Sequence, residues 1–175
     1  MALHLMNFPP QFCGWIRECI LTPRYSVKIN GQLHSFFPEG RGLRQGDPLS
    51  PYLFILVMQV LQGIVKHHSR GLDFQYHWKC EQTKLAMLMF ADDLLLFSHG
   101  DPSSISIMKS CLEHFSSLSS LVANPSKSDC FVLCKDPSLR EAIYNASGFR
   151  RGSLPMHYLG VPLVTPHLSG HYNIC

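Results

Sequence analysis

KLAMLMFADDLLLFSHG, residues 84–100, places two adjacent acids, Asp92 and Asp93, between the apolar segments Leu85–Met89 and Leu94–Phe97. The apolar segments are strand-length and joined by a very short connection, so they read as a hairpin. Neither alternates apolar with polar, which predicts strands covered on both faces. An unpaired carboxylate in such a place loses several kcal/mol to desolvation, on the order of the cost of burying any unpaired ion, and a like charge beside it adds repulsion. A divalent cation removes both penalties; Mg²⁺ in particular takes one or two carboxylates and completes its shell with phosphates and water. The plain alternative is a tight turn whose acids reach solvent. Tight hairpins favour Asn-Gly or Asp-Gly, because their central residues often need positive φ. Spacing alone leaves the two readings even.

A second segment upstream, GLRQGDPLSP (residues 42–51), runs into YLFILVMQVLQGIVKHH (residues 52–68). Glycine lets a backbone approach a ligand, Arg44 suits a phosphate, and Gln45 offers both a donor and an acceptor. A polar loop closed by an ordinary helix cap explains the same letters without a ligand. The loop matches neither a Walker motif nor GxGxxG. Ser50 and Pro51 supply an N-cap and a first-turn proline. The helix they begin is apolar nearly all round in its first half, which predicts a central, buried element. Lys66, His67 and His68 complement its C-terminal dipole, and Gly71 follows.

Elsewhere, Phe12, Ile16 and Cys19/Ile20 predict an amphipathic helix over residues 10–21. Tyr25–Ile29, Asn30-Gly31 and Leu33–Phe37 spell a β-hairpin. Asp101-Pro102 opens a helix with Ile105, Met108, Leu112, Phe115 and Leu118 on one face. Asn124-Pro125 precedes a strand near Cys130–Cys134, and a short helix and a strand around Tyr158–Val161 follow Pro137. Phe12, Trp15, Phe54, Phe90 and Phe97 read as core. Arg17, Arg24, Lys28, Arg41 and Arg44 lie near Tyr25 and Phe36-Phe37, a mixture that suits a nucleic-acid backbone and its bases. Glu18, Glu39 and Asp47 dilute the charge, so a solvated face is the simpler reading, and only Arg41 and Arg44, which flank the glycine loop, stand as candidates.

The length of 175 residues predicts one domain with a true core, and a hydrophobic share of 46% excludes a disordered tail. Charged residues make up 15%, against a norm of roughly 25%, so part of the surface is expected to meet a neighbour. The net charge of +3 alone points only weakly to nucleic acid. Seven scattered cysteines, an odd number without a CxxC pair, predict reduced thiols. His67, His68, His77 and Cys80 lack zinc-finger spacing. The longest wholly apolar run, Tyr52–Met58, is too short for a membrane span of about 20 residues, and no signal peptide is expected.

Taken together, Arg44–Pro51 (RQGDPLSP) and Phe90–Asp93 (FADD) resemble the reverse transcriptases of non-LTR (LINE-type) retrotransposons, plant-like in flavour. FCGWIRECI (residues 12–20), YSVKING (25–31), NPSKS (124–128) and YLGVPL (158–163) fall in the same order as in that family. The resemblance implies an α+β fold, a polymerase palm-like antiparallel sheet packed on helices, with part of the fingers. The palm core would cover about 22–135, and 136–175 would begin the connection to the thumb. Asp92 and Asp93 would be the catalytic, metal-binding pair, and Lys127 would stand near the leaving phosphates. Arg41, Arg44, Gln45, Gly46, Ser50 and Pro51 would border the nucleotide and template. Two Mg²⁺ ions roughly 4 Å apart would promote attack of a primer 3′-hydroxyl on the α-phosphate. The partners implied are an RNA template, a DNA primer and a deoxynucleoside triphosphate, with no membrane; family usage suggests a nuclear site of action, but the sequence carries no localisation signal and leaves the location unknown.

The sequence also departs from the family pattern. The family's first catalytic aspartate falls upstream of Met1, and residues 1–17 contain no acid. Ser120 stands where glycine is usual and Val122 where lysine is frequent, while Thr165-Pro166-His167 supplies little of the basic stretch expected there. The expectation is a truncated domain, inactive alone and dependent on an upstream segment of the same polyprotein. A non-catalytic remnant that binds nucleic acid or protein, or has no function, is the alternative.

Overall fold

The computed structural model describes residues 2–38 and 42–163. Arg41 and the segment 164–175, with Thr165, Pro166 and His167, lie outside the described residues. The chain divides into two compact units, one running to Val60 and the other from Leu61.

In the first unit, α1 (Ala2–Leu5) and α2 (Pro10–Leu21) pack through Leu3, Cys13 and Ile16. Phe8, Phe12, Ile20, Leu53 and Leu56 close around that core, and the Phe8 and Phe12 rings stack at 5.3 Å. Pro9 and Pro10 set the start of α2, whose bounds match the sequence reading. Its inward stripe is Cys13–Ile16, however, so Cys19 faces outward and Trp15 is 59% exposed rather than core. β1 (Arg24–Ile29) and β2 (Gln32–Pro38) form the expected antiparallel hairpin. Asn30 and Gly31 both take positive φ at its turn, as type I′ geometry requires.

The long helix α3 (Ser50–His68) crosses from one unit into the other. It is not buried all round, as its composition suggested. Met58, Leu61 and Val65 form a buried stripe, while Tyr52, 68% exposed, and Ile55 face outward. Apolar residues around a helix state only that several faces can be covered; the neighbouring elements decide which one is.

The second unit continues with a 3₁₀ turn (Trp78–Cys80), β3 (Met87–Phe90), β4 (Asp93–Leu96) and α4 (Pro102–Ser119). Next come β5 (Asp129–Cys130), α5 (Pro137–Ser147), β6 (Arg150–Arg151), β7 (Met156–Tyr158) and β8 (Val161–Leu163). The Asp101 carboxylate caps α4 by accepting the Ser104 N–H at 2.8 Å, and Asp136 caps α5 through Ser138 N–H at 2.9 Å. The buried stripe of α4 is Ser104, Met108, Cys111 and Phe115; Leu118, expected on it, is exposed. The helix ends at Ser120, which takes the left-handed conformation (φ +62°) that glycine adopts most easily.

Among the described residues the strands form four two-stranded sheets, where one antiparallel sheet was expected. Three are antiparallel hairpins, and β5 pairs in parallel with β6. The strand expected over residues 130–134 therefore shrinks to Asp129–Cys130, and that around Tyr158–Val161 is the hairpin β7–β8. Mixed helices and small sheets give an α+β fold. No described helix is long and apolar enough to cross a membrane. Cys13, Cys19, Cys80, Cys111 and Cys130 are free thiols.

Candidate functional site

In the first unit the segment before α3 folds back on itself. Gly42 and Gly46 take φ of +105° and +90°, which turns the backbone tightly at both ends of Leu43-Arg44-Gln45. The Asp47 carboxylate accepts the Leu49 N–H at 2.8 Å, and the Asp47 carbonyl accepts the Ser50 N–H at 3.1 Å. The Ser50 hydroxyl does not cap the helix, as its position suggested: it donates to the Arg44 carbonyl at 2.7 Å. Asp47 supplies the turn at the helix entrance, leaving Ser50 to pin the loop. Arg44, Gln45, Gly46, Ser50 and Pro51, five of the six residues expected to meet nucleotide or template, line one open groove of about 520 Å³ with Leu43, Asp47 and Phe54. Asp47 is the residue that sequence reasoning passed over. Its signal was the Asp-Pro-Leu-Ser run, a turn-and-cap pattern in which either polar side chain can cap.

In the second unit the carboxylate pair stands at the end of the β3–β4 hairpin. Met87 pairs with Leu96, Leu88 with Leu95, Met89 with Leu94 and Phe90 with Asp93, leaving Ala91 and Asp92 as the two-residue turn. Ala91 takes φ +50° and Asp92 does not share the positive φ, the signature of a II′-type turn. Asp92 and Asp93 are both exposed, so of the two readings left even by the sequence the tight turn whose acids reach solvent is the one observed. The ribbon is only partly covered: Met87, Met89, Leu94, Leu95 and Leu96 are half-buried, Leu88 is exposed, and Phe90 is 60% exposed, not core. Leu and Met at every position carry no facing signal, so the run of apolar letters overstated the burial. Desolvation therefore does not argue for a cation here; the donor chemistry must.

A hydrated magnesium ion, held by one or two carboxylates with waters and substrate phosphates, fits two acids at an open turn. A closed cage of protein ligands does not: among the described residues no group of three or more His, Cys, Asp or Glu is placed to hold a metal. Lys127 is exposed in the turn after Asn124-Pro125, its N–H donating to the Asn124 carbonyl at 3.1 Å. The Asn124 side chain accepts from both the N–H and the hydroxyl of Ser126, which fixes that turn.

The perturbed titrations belong to other residues. Burial, then Lys79 and His99, lowers the pKa of His77, whose Nδ1 also accepts the Lys79 N–H. Burial raises the thiols of Cys111 and Cys130, with the Ser147 hydrogen bond opposing the rise at Cys130.

The family model for reverse transcriptase (RNA-dependent DNA polymerase) matches residues 2–163. The chain is 30% identical over 127 residues to a transposon TX1 uncharacterized 149 kDa protein of Xenopus laevis, covering 73% of this chain and 9% of that protein. It is 28% identical over 152 residues to a retrovirus-related Pol polyprotein from the type-2 retrotransposable element R2DM of Drosophila melanogaster, covering 87% and 14%. A 66-residue stretch is 42% identical to an uncharacterized mitochondrial protein of Arabidopsis thaliana, covering 37% of this chain and 54% of that one. The chain thus spans about a tenth of the two transposon proteins and about half of the third. With the family model covering nearly its whole described length, the chain belongs to the reverse transcriptase (RNA-dependent DNA polymerase) family, as a domain of the non-LTR retrotransposon kind.

Proposed function

We propose that this chain supplies template-contacting and carboxylate-bearing parts of an RNA-directed DNA polymerase. The observation that carries the reading is the groove in which Arg44, Gln45, Gly46, Ser50 and Pro51 come together. Arg44 there offers a guanidinium to a phosphate, and Gln45 a paired donor and acceptor to a base or sugar edge. The Ser50–Arg44 hydrogen bond pins the backbone that carries both. The β3–β4 hairpin takes the part of the palm that presents Asp92 and Asp93, with Lys127 assigned to the phosphates that leave. A magnesium ion held by Asp92 and Asp93 would supply neutralisation of phosphate charge.

One hairpin is an incomplete donor set for two-metal nucleotidyl transfer, which needs carboxylates from a second strand. The 175 residues alone are therefore expected to bind an RNA-template/DNA-primer duplex without extending the primer. Titration of a labelled duplex at low salt tests the groove: Arg44→Glu should weaken binding roughly tenfold or more, the order lost with a hydrogen bond to a charged group. Unchanged affinity would remove the groove from the interface. Template-dependent incorporation that vanishes in Asp92→Asn would overturn the claim of inactivity.

A further inference from the structure

The β1–β2 hairpin in the first unit exposes both of its faces, and its register makes them chemically different. Tyr25 pairs with Phe37, their ring centroids 6.0 Å apart, and Val27 and Ile29 follow on that side. The register shifts between Ser26 and Val27, where Ser35, at φ +46°, is the extra residue on the other strand. Without that bulge Phe36 would lie opposite Tyr25. With it, Phe36 pairs with Ser26 and joins the face that carries Arg24, Lys28 and, opposite Lys28, the exposed Leu33. Phe36 is 72% exposed, and both cations are exposed. No acid occurs between Glu18 and Glu39, so nothing within the hairpin neutralises them.

An exposed ring beside two cations that no acid of the hairpin neutralises fits a polyanion that also offers flat rings. An apolar protein partner would cover Phe36 only by desolvating Arg24 or Lys28 without a counter-charge. A duplex keeps its base faces stacked and out of reach, whereas a single strand presents phosphates and base faces together. We infer that the Arg24–Ser26–Lys28/Phe36 face of this hairpin binds single-stranded nucleic acid, Phe36 stacking on an unpaired base while Arg24 and Lys28 hold flanking phosphates. The inference rests on the reading of the chain as one that handles a template, and adds a contact outside the Arg44–Pro51 groove.

Fluorescence anisotropy of the full 175-residue chain with a short unstructured RNA, single-stranded or annealed to its complement, tests it. The single strand should bind more tightly. Phe36→Ala should weaken that binding roughly 5- to 100-fold, and Phe36→Trp should retain it. Lys28→Gln should reduce the slope of log affinity against log salt by about 0.7, one phosphate contact on a single strand. Ile29→Ala, on the opposite face, should change nothing. Parental affinity in Phe36→Ala overturns the inference, as does an equal loss in Ile29→Ala or failure of Phe36→Trp to retain binding. Loss of self-association in Phe36→Ala with RNA affinity intact also overturns it, in favour of a protein contact. A defect in Arg44→Glu without one in Phe36→Ala sinks this inference alone and leaves the proposed function standing; a parent chain that binds no RNA sinks both.

Discussion

Ala91 holds a positive φ at a hairpin turn where glycine would sit without strain. Such a conformation costs on the order of 1–3 kcal/mol in a non-glycine residue, and it places Asp92 at the second turn position with Asp93 opening β4. Ser120 repeats the pattern at the end of α4: the sequence departs from glycine, yet the backbone keeps the left-handed cap that glycine usually provides. Ser104 shows a different residue-level economy. It is wholly buried on α4, and its hydroxyl accepts the Gln75 N–H at 2.9 Å, tying the loop before the 3₁₀ turn to the helix. Ser104→Ala removes that acceptor and should destabilise the chain by about 1–2 kcal/mol. The urea-unfolding midpoint measures it; an unchanged midpoint would mean that the Gln75 N–H finds water instead.

At the scale of elements, β5 and β6 are two residues each, so their pairing leans on side chains. Arg150 meets Asp129 at 2.9 Å, and Arg151 reaches Glu141 on α5 at 2.6 Å while lying over the Tyr144 ring. Gly152 continues the ladder with its N–H donated to the Cys130 carbonyl at 2.8 Å. A Cβ there would fall 2.5 Å from the Phe131 ring. Gly152→Ala must push that ring aside and should cost about 1–3 kcal/mol, as overpacking does. A lowered thermal midpoint is the expected result; the double variant Gly152→Ala/Phe131→Leu, with a slimmer side chain, should recover part of it.

At the scale of the whole chain, apolar surface stands out. Leu5, Trp15, Tyr52, Ile55, Leu72, Phe90 and Val122 are all exposed, which agrees with the low charged fraction and its expectation of a neighbour. The 175-residue chain should therefore enhance the fluorescence of an apolar-surface dye under native conditions and associate as its concentration rises. Sedimentation velocity across a concentration series checks this; a monomer throughout, with no dye signal, would mean that the exposed side chains are too scattered to form a patch. The family assignment was legible in two short strings, RQGDPLSP and FADD, and in their order along the chain. Burial was less legible. Trp15, Phe90 and the first half of α3 read as core from composition, and their outward faces depend on which elements pack nearby.

What the sequence alone determined is local and chemical: the caps at Asp101 and the prolines at helix starts, the Asn30-Gly31 turn, the family, and the order of Arg44, Asp92 and Lys127 along the chain. Backbone propensity and side-chain chemistry act within a few residues, so they can be read letter by letter. Tertiary structure alone decided that the Asp92-Asp93 turn opens to solvent, that Ser50 bonds the Arg44 carbonyl, that β5 pairs in parallel with β6, and that a bulge at Ser35 puts Phe36 beside Arg24 and Lys28. Each of these depends on which groups meet across the fold and which faces are left without a neighbour, and a one-dimensional pattern does not encode that.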